Sequence, residues 1–186
     1  MFLSSGALAG ALGAEGFEVV SSRRGRVHLS RRVGHRDDHV VLEPASRGLV
    51  GLLPWRRHRV CAVVVGQVWR LVEQAFSRPV PAVPTLPSQV HVASRFDPST
   101  HSDDGDVTRL VGAIVSWCDA RATPADVLAR GEPDDPVLRL EFAVVARDHA
   151  VGQAAAAEAR AGVSALEPAR RRMVTRRIDL AEDRLP

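Results

Sequence analysis

Apolar positions along this chain recur with two different periods. Alternation dominates up to about residue 95, and helical spacing dominates from residue 106 onward. At the start, Leu3, Leu8 and Leu12 among alanines predict a helix over 3–14, with Ser4 or Ser5 as N-cap and Gly16 at its exit. Short β-type runs follow. Phe17-Glu18-Val19-Val20 leads to the turn-like Arg23-Arg24-Gly25, and the stretch 26–33 then alternates, with Val27 and Leu29 facing one way. Gly34-His35-Arg36-Asp37-Asp38 reads as a second turn before His39-Val40-Val41-Leu42, which completes an antiparallel meander. Val60 to Val65 is an unbroken apolar run, expected as a strand buried on both faces and ended by Gly66. Val68, Leu71, Val72, Ala75 and Phe76 then mark one stripe of a helix. Two segments resist regular structure: 44–58, with its Pro and Gly, and the proline-rich 78–87. Beyond them, 89–95 alternates once more.

In the second half, Val107, Leu110, Val111, Ile114 and Val115 form a helical stripe, with Asp103, Asp104 and Asp106 at its positive end. Thr123-Pro124-Ala125-Asp126 approximates a capping box, with Pro at the first helical position and Gly131 past the end. Asp135-Pro136 opens a further helix through Val145. Gly152 separates that helix from an alanine-rich one over Gln153 to Ala161, and a short loop between two such helices makes them antiparallel neighbours. The expected fold is α+β. An antiparallel sheet of four or five strands from 17–95 packs against helices drawn mainly from 106–162. The domain is expected to span 1–162, with 163–186 as a basic C-terminal helix or flexible tail.

All 25 positive side chains are arginine, and lysine, asparagine and tyrosine are absent. Those three residues share codons beginning with two A or T bases, so a GC-rich coding sequence accounts for the gap. Arginine is then partly a compositional default, and arginine runs lose much of their weight as signs of nucleic-acid binding. The 22 acids nearly cancel the arginines, and the formal charge of +3 leaves no global basic field. No apolar run is long enough to span a membrane, and the start lacks the positive region of a signal peptide, so the expectation is a cytoplasmic chain without membrane contact. Cys61 and Cys118 lie in apolar surroundings and read as small buried hydrophobes.

Candidate chemistry is sparse. Gly34 to His39 gathers metal-ligand types, but His35 and His39 share a face only on a helix, and the segment reads as a hairpin turn whose side chains splay into solvent. Asp97 to Asp106 fails as a calcium loop because Val111 falls where the bidentate Glu belongs. No nucleophile elbow and no phosphate-binding loop is present. Glu43, Glu73 and Glu141 are the carboxylates from which an acid–base pair would have to be built. The reading therefore assigns no catalytic residues, no cofactor and no metal. Two basic clusters stand out: Arg56, Arg57 and Arg59 beside Trp55, and Arg170-Arg171-Arg172 with Arg176-Arg177.

The helix ending in Gly16-Phe17, followed by Val27-His28-Leu29 and Val40-Val41-Leu42, carries a family likeness. So do Val63-Val64-Val65-Gly66, the stretch Val68 to Phe76, and Trp117-Cys118-Asp119 before Thr123-Pro124-Ala125-Asp126. Over roughly residues 5–162 the pattern resembles an uncharacterised bacterial family of the domain-of-unknown-function 4304 type. The resemblance implies a small antiparallel sheet followed by helices and no known activity. Some related proteins look like partners or immunity factors in bacterial gene clusters. The chain departs from the pattern in 44–58 and in its arginine tail.

The expectation is a non-catalytic protein-interaction module, of an immunity or partner type, whose surface is Trp55, Arg56, Arg57 and Arg59, since Trp and Arg dominate binding hot spots. The alternatives are a weak nucleic-acid-binding protein acting through its arginine clusters, and an enzyme of unknown class.

Overall fold

The computed structural model describes residues 3–44, 60–76, 78, 90–98 and 106–185. The elements in chain order are α1 (Ser5–Ala14), β1 (Glu18–Arg23), β2 (Arg26–Val33), β3 (Arg36–Pro44), β4 (Val60–Trp69), α2 (Arg70–Ala75) and β5 (Val92–Phe96). The helices α3 (Asp106–Asp119), α4 (Pro124–Leu128), α5 (Pro136–Ala146), α6 (His149–Val163) and α7 (Pro168–Glu182) follow. The protein is α+β, with a five-stranded antiparallel sheet in the order β1-β2-β3-β4-β5. The chain forms two compact units. One is drawn from Met1–Val68 and Pro81–Ala120, the other from Trp69–Val80 and Arg121–Pro186.

In the first unit two hairpins set the register. Arg24 and Gly25 both have positive φ, at 53° and 82°, as a two-residue loop matched to strand twist requires. Gly34, with φ 58°, opens the second loop at its first central position. Across that loop Val33 pairs with Arg36, Leu29 with Val40 and Val27 with Leu42. One sheet face therefore presents Leu29, Val40, Leu42, Val63 and Val65, and it joins Leu8 and Leu12 of α1 and Leu110, Ile114 and Cys118 of α3 in one core. Ser4 caps α1 by accepting from the Ala7 amide at 3.1 Å.

The turn expected over 34–38 is shorter than its sequence implied. Only Gly34 and His35 form the loop; Arg36, Asp37, Asp38 and His39 are strand residues and are buried, not splayed into solvent. The reason is pairing: each charged member meets a fixed partner, so strand hydrogen bonding continues through them. Gly66 likewise does not end β4. It pairs with Ala93, Gln67 pairs with Val92, and the strand runs on to Trp69, which leaves α2 six residues long.

The second unit consists of α2 and α4 to α7. Thr123 and Asp126 complete a capping box at α4: Thr123 Oγ1 accepts from the Asp126 amide at 3.1 Å, and Asp126 accepts from the Thr123 amide at 2.8 Å. Asp135 caps α5 through the amides of Val137 and Leu138. Arg147, in the left-handed region with φ 58°, ends α5, and Asp148 caps α6 on the Val151 amide at 3.1 Å. The break between these helices thus falls at 147–148, and Gly152 lies inside α6 rather than ahead of it. Arg139 near the start of α5 reaches Glu158 late in α6 at 2.8 Å, the spacing of antiparallel neighbours. The segment expected as a basic helix or flexible tail carries α7.

Candidate functional site

The proposed surface of Trp55, Arg56, Arg57 and Arg59 lies outside the described residues, as do His101, Asp103 and Asp104 of the acidic loop. Among the described residues, polar chemistry concentrates in two clusters of arginine and carboxylate and in one histidine pair.

The first cluster lies in the first unit, at the β3 end next to the Gly34 loop. Strand alternation puts Arg36 and Asp38 on the same face, and the cross-strand partner of Asp38 is Arg31. Arg36 Nε stands 2.7 Å from Asp38 Oδ1, and Nη2 donates to Oδ2 at 3.0 Å. Arg31 donates to the same Oδ2 through Nε at 3.2 Å and Nη2 at 2.9 Å. Gln67, reached because β4 continues past Gly66, donates its amide to Asp38 Oδ1 at 2.9 Å and to the Cys118 carbonyl at 3.0 Å. Arg36 Nη1 donates to that carbonyl at 2.9 Å. The last-turn carbonyl of α3, otherwise an orphan of the helix end, is thereby satisfied twice. Asp119 accepts from both arginines at the rim, at 3.1 and 3.2 Å.

Burial and charge pull in opposite directions here. Asp38 is fully enclosed and Arg36 is 2% exposed, so each charge depends on the other for its place in the interior. Burial works against the charge of Arg31, but the hydrogen bond it donates to Asp38 and the nearby carboxylates outweigh that and raise its pKa. The Arg31 guanidinium also sits 4.8 Å over the Phe17 ring, which ties the strand to the exit of α1. Burial, reinforced by Asp38, pushes the Cys118 thiol up to about 12, so this sulfur is inert at neutral pH. Cys61 differs from its expectation. It is exposed, at the start of β4, where its thiol donates to the Pro44 carbonyl at 3.1 Å.

On the other sheet face His28 and His39 meet across β2 and β3. Nε2 of His28 lies 3.2 Å from Nδ1 of His39, a hydrogen bond in which one ring donates and the other accepts. Burial lowers the His28 pKa, and Arg26 lowers it further. The two histidines that the sequence placed four apart are thus separated, His35 exposed on the loop and His39 joined to a different partner. Among the described residues no group of three or more His, Cys, Asp or Glu is arranged to hold a metal ion.

The second cluster belongs to the second unit and unites two of the three carboxylates singled out in the sequence. Arg78 reaches Glu141 at 2.9 Å through Nη1 and Glu73 at 3.1 Å through Nη2. Arg177 of α7 donates to Glu141 Oε1 at 3.1 and 2.9 Å. Trp69 meets Phe142 edge-on with centroids 6.2 Å apart, beside the cluster in sequence. Glu43 does not join them; it pairs with Arg26 and Arg95 at the sheet. Periodicity alone missed both clusters, because it treats Arg36, Asp38 and Glu141 as solvent-facing. A usable signal was present in β3, where the charges run directly into an apolar stretch with no break.

No helix among the described residues is long and apolar enough to cross a membrane. No family model, curated protein or solved structure matches this chain, and the likeness to the family of unknown function rests on the residue pattern alone.

Proposed function

We propose that this protein is a non-catalytic protein-interaction module, an immunity or partner protein working in the cytoplasm. One observation carries the reading: each of the buried carboxylates among the described residues, Asp37, Asp38, Glu73 and Glu141, is engaged by arginine. A general acid or base needs lone pairs free to exchange a proton with a bound substrate. Arg31, Arg36 and Gln67 take up both oxygens of Asp38, while Arg177 takes up Oε1 of Glu141 and Arg78 neutralises its Oε2 as an ion pair, so these carboxylates hold the fold instead. The chemistry left at the surface is of the kind that binds proteins: arginine together with isolated large apolar side chains, Val19, Val20, Val33, Met173 and Leu180. Trp55 with Arg56, Arg57 and Arg59 is the proposed centre of the contact on grounds of residue type.

The test is cross-linking capture of cellular partners by the full chain and by Trp55→Ala, with the unfolding transition of each measured alongside. A stoichiometric protein partner lost from a folded Trp55→Ala variant is the expected result. A folded variant that keeps every partner removes this loop as the contact, and turnover of a small molecule by the wild type overturns the reading.

A further inference from the structure

Helix α7 is bound to its own unit along one side only. On that side Ile178 and Ala181 are buried, and Arg177 holds Glu141. Arg171 reaches back to the Ser164 and Leu166 carbonyls at 2.9 and 3.1 Å, at the C-cap of α6 and in the connection that follows it. Asp179 and Glu182 together hold Arg160.

The opposite side is another matter. Helical spacing aligns Ala169, Arg172, Met173, Arg176, Leu180 and Asp183 along one outward stripe. Met173 is 58% exposed and Leu180 40%, and they stand two turns apart, about 10 Å, on the same line. Arg172 and Arg176 flank them four residues apart, where like charges repel. Among the described residues neither they nor Arg170 has an ion-pair partner. With the inward pairs set aside, the stripe carries Arg172 and Arg176 against Asp183 alone, so two positive charges against one negative leave a surplus of one.

We propose that this outward stripe of α7 docks an acidic amphipathic helix of a partner protein, with apolar residues laid on Met173 and Leu180 and carboxylates on Arg172 and Arg176. The inference rests on the interaction-module reading and gives it a second surface and a partner chemistry. Three features select this occupant. Arginine takes a carboxylate in a two-point fork, and a partner carboxylate beside Arg172 and Arg176 relieves their mutual repulsion. The two exposed apolar side chains need side chains to cover them, which a phosphate backbone lacks. The positive surplus opposes a second copy of the same helix, and two isolated apolar residues fall short of the broad face that seats a helix in a lipid surface.

The experiment uses the full chain at about 0.15 M salt, where weak surface attraction is screened. The probe is a dye-labelled peptide of about three heptads with Leu at the seam and Glu flanking it, and its control has Lys in place of Glu. Fluorescence anisotropy is expected to show binding of the glutamate peptide and none of the lysine peptide. Arg172→Glu combined with Arg176→Glu weakens the glutamate peptide by about tenfold or more and creates binding to the lysine peptide. The substituted residues face solvent, so circular dichroism is expected to be unchanged. Equal affinity of wild type and double variant for the glutamate peptide overturns the proposal. So does its displacement by duplex DNA, or by vesicles of phosphatidylserine and phosphatidylcholine in equal parts. A cellular protein partner captured equally well by wild type and double variant sinks this docking face while the interaction-module reading stands. A chain that captures no partner removes both.

Discussion

Asp38 is the residue on which the first cluster turns. It accepts from Arg31, Arg36 and Gln67 at once, and every one of those donors would lose a partner if the carboxylate went. Asp38→Leu leaves the enclosed Arg36 with a backbone carbonyl and the rim carboxylate of Asp119, and is expected to cost about 3–5 kcal/mol. Arg31→Met leaves Asp38 still held by Arg36 and Gln67, and is expected to cost about 1–2 kcal/mol. Urea unfolding of both variants checks the ranking; equal losses would show that Arg36 does not depend on Asp38. No single residue announces this; the one signal is that the charges of β3 run into an apolar stretch without a break. A run of charges after a glycine is ordinarily a solvated turn, and the partners that make Arg36 and Asp38 an exception lie 82 and 29 residues further along the chain.

Elements were more legible, because caps and apolar stripes act locally. The N-cap of α1, the box at Thr123 and the Asp135-Pro136 start of α5 all stand where short-range chemistry places them. Local rules fail at glycines that do not end an element. Gly66 sits within a paired strand. Gly152 sits within α6, where the space its missing side chain leaves is taken by Leu185 from beyond α7. A Cβ on Gly152 would overlap Leu185 Cδ2 and come within 3.3 Å of its Cγ. Alanine in a helix interior is favoured over glycine by about 1 kcal/mol, while displacing a buried part of a leucine loses about 1–2 kcal/mol. Gly152→Ala alone is therefore expected to be neutral or destabilising by about 1 kcal/mol. In a Leu185→Ala background the same change is expected to stabilise by about 0.5–1 kcal/mol. Thermal unfolding of the two pairs reads the change of sign; the same sign in both backgrounds rejects the close-approach explanation.

For the whole molecule, histidine is the side chain whose ordinary pKa lets stability depend on pH near neutrality. Guanidinium groups stay charged throughout, so the response belongs to the histidines. Above the ordinary value of 6.5, His28 is neutral whether the chain is folded or not. As pH falls through 6.5, the unfolded chain takes up a proton that folded His28 resists, because it is buried and faces Arg26 and the His39 ring. Stability is thus expected to fall as pH drops below about 6.5, by no more than about 1.4 kcal/mol per pH unit for this group. His28→Gln is expected to flatten that slope. A slope unchanged by the substitution would assign the response to other histidines. The α+β class was readable at this scale because alternation and helical spacing occupy separate stretches of chain. The surface expected to carry function rests on residue type alone, and Trp55 with Arg56, Arg57 and Arg59 lies outside the described residues.

The two thiols of the first unit differ in a way that turns the core into its own clock. Cys61 is open to solvent, while Cys118 is enclosed in the core, and its own carbonyl receives Arg36 and Gln67. A thiol reagent will therefore modify Cys61 at once and Cys118 only during the moments when the end of α3 lifts away. The ratio of the two rates measures how often that happens under native conditions, without denaturant. Because the opening that frees the sulfur also parts Arg36 from the Cys118 carbonyl, loosening the cluster at Asp38 should hasten the second reaction and leave the first untouched.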